Sequence, residues 1–173
     1  MSTRHLTLGG LGVALVAVAT VVIRIPVPAT QGYINLGETA VYLTALLLGP
    51  LFGAVAGGVG SALADLLAGY TSFAPFTLVI KGMEGGLCGW LAWRTFRWGE
   101  VGSGRSWTGG LVACAVAGAW MVLGYYLVEA YLMGLGAGAA AAEVPGNLFQ
   151  VASGIVVAVP AAVLLRRSVP RPA

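Results

Sequence analysis

Charge is what this chain lacks. Nine basic and six acidic side chains make up 9% of its 173 residues, where a soluble globular domain carries roughly 25%. Too few polar groups remain to cover a water-facing surface, which excludes a soluble enzyme or binding module. Histidine is confined to His5, so histidine-based metal or triad chemistry goes with it. The two cysteines, Cys88 and Cys114, lie inside apolar runs at no metal-ligand spacing and read as small hydrophobes. There is no phosphate-binding loop and no serine with a partnered base. The expectation is therefore a protein that is not an enzyme, holds no metal or cofactor and cannot hydrolyse ATP. Its net charge of +3 is spread over the ends of apolar runs, which does not suit nucleic acid.

What is present is apolar: 58% of the residues are hydrophobic, and the mean hydropathy is +0.90. A chain of this length holds about six membrane-spanning helices of ~20 residues. Six apolar runs are legible, at approximately 8–25, 36–48, 51–69, 75–93, 109–133 and 147–165. They predict an all-α, six-transmembrane-helix bundle in one membrane domain. The first run is followed by no small-residue cleavage site and reads as a retained helix. Pro26 and Pro28 predict a stiff, extended loop over Arg24–Gly32. The second run is too short to cross a ~30 Å hydrocarbon core upright, so it is tilted, re-entrant or shielded by neighbours. Gly49-Pro50 separates it from the third, whose glycines form a face for close helix approach. The Gly/Ala-rich stretch 134–146 reads as a loop whose alanines can form a short extra turn.

Orientation follows from the positive charges. With the N-terminus in the cytoplasm, Arg4, Arg94, Arg97, Arg105, Arg166, Arg167 and Arg171 fall inside; Arg24 falls outside and Lys81 within the membrane. That asymmetry predicts cytoplasmic N- and C-termini. Trp90, Trp93, Trp98 and Trp107 then sit near the cytoplasmic boundary as interfacial anchors.

This topology gives each polar residue in the runs a depth. Asn35 and Glu38 open the second helix, Asp65 nears the end of the third, and Lys81 and Glu84 follow the start of the fourth. Tyr125, Tyr126 and Glu129 near the end of the fifth, and Asn147 and Gln150 open the sixth, just after Glu143. All fall in the outer half. Ionisable groups in a bilayer usually face the bundle interior and mark a substrate or ion path, so one outward-facing cavity is expected. Plainer readings stand beside this one. Lys81 and Glu84 are spaced to neutralise each other, Asp65 can bond a neighbouring helix, and Glu38 suits a helix N-terminus. Glu129 can be solvated at the interface, and Asn147, after Pro145-Gly146, can cap a helix. Charges of both signs beside aromatics suit a compact polar ring.

The runs GYINLGETAVYLTALLLGPLFGAVAGGVGSALADLL and FAPFTLVIKGMEGGLCGWLA, with the later EVPGNLFQVASGIVVAVP, resemble the substrate-binding S components of energy-coupling factor (ECF) vitamin transporters. The resemblance implies a multi-pass protein of a prokaryotic cell membrane that captures a vitamin or precursor from outside. It would work with a transmembrane T component and two ATPases. It implies a lid over Arg24–Asn35. It also makes Asn35, Glu38, Lys81, Glu84, Tyr125, Glu129, Asn147 and Gln150 the candidate substrate ligands. The family's small-residue docking face on the first helix is matched imperfectly, by Gly10, Ala14 and Ala17 with Val18. A different class of reading is a stand-alone ion-coupled carrier using Lys81, Glu84 and Asp65, but no inverted repeat is visible.

Overall fold

A computed structural model of the chain describes residues 3–30, 32–95 and 104–166. Gln31, the centre of the hydrophilic loop with Arg97, Trp98 and Glu100, and the basic tail from Arg167 lie outside the described residues. Six helical rods and one hairpin make up the rest. The first helix, α1, runs Thr3–Val22, rather than 8–25, and gives way to two strands, β1 (Arg24–Val27) and β2 (Gly32–Asn35). The strands pair antiparallel, Arg24 opposite Asn35 and Val27 opposite Gly32. The stiff loop expected over Arg24–Gly32 is thus half of a hairpin. Pro26 fits because each strand of a two-stranded ribbon is an edge, where a missing N–H costs no ladder bond.

Helix α2 (Glu38–Leu48) is joined by Gly49, at φ +90°, to α3 (Pro50–Ala68). A π-helical turn, Ala56–Gly60, interrupts α3. Next come α4 (Ala74–Thr95) and α5 (Gly104–Leu127), which continues through a second π-helical turn, Val128–Leu132. The last helix, α6, spans Ala137–Leu165. Its start corrects the expected loop at 134–146: the alanine run has the highest helix propensity of any residue type. That preference outweighs Pro145, which forfeits one backbone bond inside the helix. Four of these rods, α1, α3, α5 with its π turn, and α6, are long and apolar enough to cross a membrane.

The bundle is large outside and small inside. Leu11, Val18, Leu67, Val156 and Leu164 are exposed on its surface, while Ala45, Ala92, Ala113, Ala117, Ala158 and Ala162 are fully buried. This is the arrangement lipid favours, since helices there associate through close packing rather than expulsion of water. Short α2 is enclosed by its neighbours, with Ala40, Val41, Tyr42, Ala45 and Leu46 buried. That makes it the shielded helix among the expected alternatives. Its last turn is closed by the Arg166 guanidinium, whose Nη2 donates to the Leu46 carbonyl at 2.6 Å, satisfying one of the orphan acceptors of a helix end.

The tightest seam joins α3 to α4, antiparallel. A methyl group on Gly53 would run into the Gly85 carbonyl, one on Gly85 into Gly53, one on Gly57 into the Lys81 carbonyl, and one on Gly89 into Gly49 and Pro50. At the end of the bundle away from the hairpin, Tyr42, Leu46, Cys88, Cys114, Val159 and the buried alanines form a dry core.

Gly85→Ala is expected to destabilise the bundle by about 1–3 kcal/mol through backbone separation. Gly82→Ala is expected to be neutral or stabilising, since a methyl group there would meet its nearest atoms at 3.6 and 3.7 Å. Thermal unfolding of both variants in detergent checks the contrast; equal melting temperatures would show that the seam is not close-packed.

Candidate substrate-binding site

The polar residues meet at the hairpin end. Lys81 is the hub: its ammonium is paired with Glu38 Oε2 across from α2 and lies 3.1 Å from Glu84 Oε2, one turn along α4. The Tyr42 hydroxyl donates to Glu84 Oε1 at 3.1 Å. All three charged groups are buried. The plain ion-pair reading of Lys81 and Glu84 therefore holds, but with a second carboxylate that i, i+3 spacing does not reveal. Glu38 and Glu84 sit behind Lys81 and do not line the cavity, whereas Lys81 does.

Around Lys81 the structure gathers Asn35, Tyr125, Glu129, Asn147 and Gln150, together with Tyr33, Asp65, Phe73, Thr77 and Glu143, on one cavity. Gln150 links the hairpin to α6: its Oε1 accepts from the Asn35 N–H at 2.9 Å and its Nε2 donates to Asn147 Oδ1 at 2.8 Å. Asn147 is thus an interior residue of α6 and not a helix cap. The Tyr125 hydroxyl pairs with Thr77 Oγ1 at 3.1 Å, and its ring centroid lies 6.0 Å from the Lys81 ammonium. Trp120 donates its Nε1 to the Ile80 carbonyl at 3.2 Å and does not line the cavity, nor does Tyr126. Glu129 is fully buried rather than solvated, because the π-helical turn carries it inward. Such turns add a residue to the helical register and recur at functional sites.

The hairpin roofs this cavity. Thr30 donates its hydroxyl to Glu143 Oε1, and the Tyr33 hydroxyl donates to Asp65 Oδ1 at 2.6 Å. The Tyr33 ring also packs on Tyr70, centroids 4.5 Å apart. Burial, and then the Asp65 carboxylate, push the Tyr33 hydroxyl well above the ordinary phenol range, so it stays a donor. Asp65 therefore bonds the hairpin. The free space inside is ≈ 30 Å³, room for about two waters. A wider groove of ≈ 470 Å³ lies outside, bordered by Pro26, Pro28, Tyr70 and Met133, and shares Gly32 and Phe73 with the cavity. A ring-sized molecule must therefore displace the hairpin or its side-chain bonds to enter.

Three lining residues carry weak signals in sequence. Thr77 lies one turn before Lys81 and shares its face. Tyr33 emerges only once the hairpin is known. Glu143 is an acid in an otherwise apolar stretch, disguised by the loop expected there.

The apolar helical architecture agrees with comparisons to known proteins. Residues 1–167 match the family described as "ECF-type riboflavin transporter, S component". The chain is 46% identical over 142 residues to a Pyrococcus woesei protein described as "Uncharacterized protein in gap 3'region", covering 82% of this chain and 88% of that one. It is 30% identical over 166 residues to the "Thiamine precursor transporter HmpT" of Lactococcus lactis subsp. cremoris (strain MG1363), covering 95% of this chain and 89% of that protein. With its whole helical bundle inside the match, this chain belongs to the family of ECF-type transporter S components, which are membrane-embedded transport proteins and not enzymes.

Proposed function

We propose that this protein is the substrate-capturing subunit of an ECF-type importer, binding a small heteroaromatic vitamin precursor from outside a prokaryotic cell. It forms a single membrane domain of six spans with both termini in the cytoplasm. The observation that carries the proposal is the polarity split of the bundle. A polar cavity under a three-point hairpin roof occupies one end, and a dry core of Tyr, Leu, Val, Cys and Ala closes the other. Such a bundle can hold a solute at its polar end, against the dry core of the other. The positive charges Arg94 and Arg166 fall at the dry end, which favours that end as cytoplasmic.

Asn35, Lys81, Tyr125, Glu129, Asn147 and Gln150 are the proposed ligand contacts, and Glu38 and Glu84 hold Lys81 in place. A small heteroaromatic ligand is in keeping with the name of the Lactococcus relative, a thiamine precursor transporter. Energy is supplied by a T component and two ATPases, since the chain has no phosphate-binding loop. On α1, Gly10, Ala14 and Val18 recur at helical spacing on the exposed face, with Ala17 half-buried beside them. They are the proposed docking strip.

The decisive experiment is uptake into proteoliposomes. ATP-driven uptake is expected only when the T component and both ATPases are present, while the isolated protein still binds its ligand. Accumulation by the isolated protein down an ion gradient would sink the proposal in favour of a stand-alone carrier. Native mass spectrometry of the purified protein is expected to find a co-purified heteroaromatic molecule of one ring.

Two substitutions test the site's construction. Gln150→Ala removes one fastening of the hairpin, and a roughly tenfold weaker affinity is expected, from the ~1–1.5 kcal/mol of one such bond. Surface plasmon resonance should show the loss mainly as faster release. Lys81→Ala leaves Glu38 and Glu84 buried without a counter-charge, a change that costs about 3–5 kcal/mol. Adding Glu38→Gln and Glu84→Gln to it is expected to recover most of the lost melting temperature. No recovery would mean that Lys81 acts on folding through something other than charge.

A further inference from the structure

We propose that Cys88 and Cys114 form a dithiol–disulfide site in the dry core, oxidised by a small uncharged peroxide, so that one covalent bond staples α4 to α5. Neither residue lines the polar cavity, and the inference is independent of what that cavity holds.

The first support is contact. The two thiols are 26 positions apart in sequence, on separate helices, yet the fold brings their Sγ atoms to 3.7 Å. A disulfide needs about 2.05 Å, so the sulfurs must approach by about 1.7 Å, a gap that torsion of two short side chains can share. The second support is the neighbourhood. Both cysteines are free and fully buried, and Ala92, Ala113 and Ala117 in the same core are fully buried too. Small residues let helices approach closely, and a disulfide between two helices requires that close approach. The third support is position. Cys88 lies two turns beyond Lys81 on α4, and Cys114 lies three turns before Tyr125 on α5. A bond there joins the two helices that carry those cavity residues at their dry end, and leaves the hairpin end untouched.

The reaction balances with the peroxide alone. One Sγ attacks a peroxide oxygen: an S–O bond forms, the O–O bond breaks, and an alcohol or water leaves with the thiol proton. The second Sγ then attacks the sulfenic acid: the S–S bond forms, the S–O bond breaks, and water leaves. Two electrons pass from the sulfurs to the peroxide. The oxidant must be uncharged, because the Tyr, Leu, Val and Ala side chains around the pair disfavour an ion. The same surroundings make a thiolate, the reactive form, costly to reach, so oxidation is expected over hours. The bond once made is sealed from the aqueous thiols that would reduce it.

The test treats the reduced, purified full-length protein in detergent with tert-butyl hydroperoxide overnight. The product is unfolded, alkylated with a maleimide and mapped by peptide mass spectrometry. Both cysteines are expected to label before treatment and neither after it. A peptide linking Cys88 to Cys114 is expected in their place, and both labels are expected to return after reduction of the unfolded chain. The treated protein is expected to melt about 5–10 °C higher than the reduced one, from the usual effect of one disulfide. Cys114→Ser leaves Cys88 without a second thiol, so treatment is expected to give no such gain; it also accounts for oxidation of the four methionines. Cys88→Ala gives the same reading should Cys114→Ser fail to fold, and the wild-type map needs neither variant. The proposal is overturned if both thiols still label after treatment, or if they are lost without the linked peptide. It is also overturned if the link joins two chains, or if the linked protein melts no higher than the reduced one.

Discussion

One ammonium group sets the geometry of this bundle. Burying an ion in a low-dielectric interior costs several kcal/mol even after relaxation, and only close partners offset it. Lys81 has two, Glu38 from the first turn of α2 and Glu84 from the next turn of α4. Satisfying both fixes how far α2 slides along α4 and which face it turns inward. The Gly57 backbone lies directly on the Lys81 carbonyl, so α3 is seated by the same turn. Thr77 and Tyr125 follow one turn toward the hairpin and Cys88 two turns away from it. The boundary between polar cavity and dry core is therefore drawn at Lys81.

The roof obeys a different rule. A two-stranded ribbon is marginal by itself in water, and this one, with four residues in each strand, is held by groups it does not own. Glu143, Asp65 and Gln150 each take one hydrogen bond from it. Neutral bonds of this kind contribute about 0.5–1.5 kcal/mol apiece, and those to charged groups about 1.5–3, enough to keep the ribbon closed and few enough to be exchanged. The acceptors that fasten the ribbon also line the cavity. A ligand offering N–H or O–H donors can therefore compete for the same acceptors from within.

Much of this was legible in the chain because lipid imposes a strong rule. A polar side chain in an apolar run has few tolerable places, so Lys81, Glu129 and Gln150 could be assigned a common depth before any partner was known. What was hidden depended on contacts between distant segments. Glu38 meets Lys81 across 43 positions of sequence, and Thr30 meets Glu143 across 113. The hairpin was masked by its prolines, which signal extended chain without saying what the chain pairs with. The start of α6 was masked by composition: Gly, Ala and Pro together read as a loop in water, but Ala-rich sequence in a packed bundle stays helical through a proline. The π turn at Val128–Leu132 left no trace in hydropathy, yet it separates the expected solvated Glu129 from the buried one.

The same asymmetry bears on how work reaches the bundle. Its interior is joined by a glycine seam and an alanine core, where packing is too close to bend gradually. Opening a path for a solute through that core would expose Glu38, Glu84 and Lys81 to a dry interface and part helices held backbone to backbone. The low-cost motion is at the roof, where few bonds need to break. A protein built this way opens more easily at the hairpin end and resists internal rearrangement at the other. The polar groups and the glycines thus divide the bundle into a loosely fastened end and a rigid one.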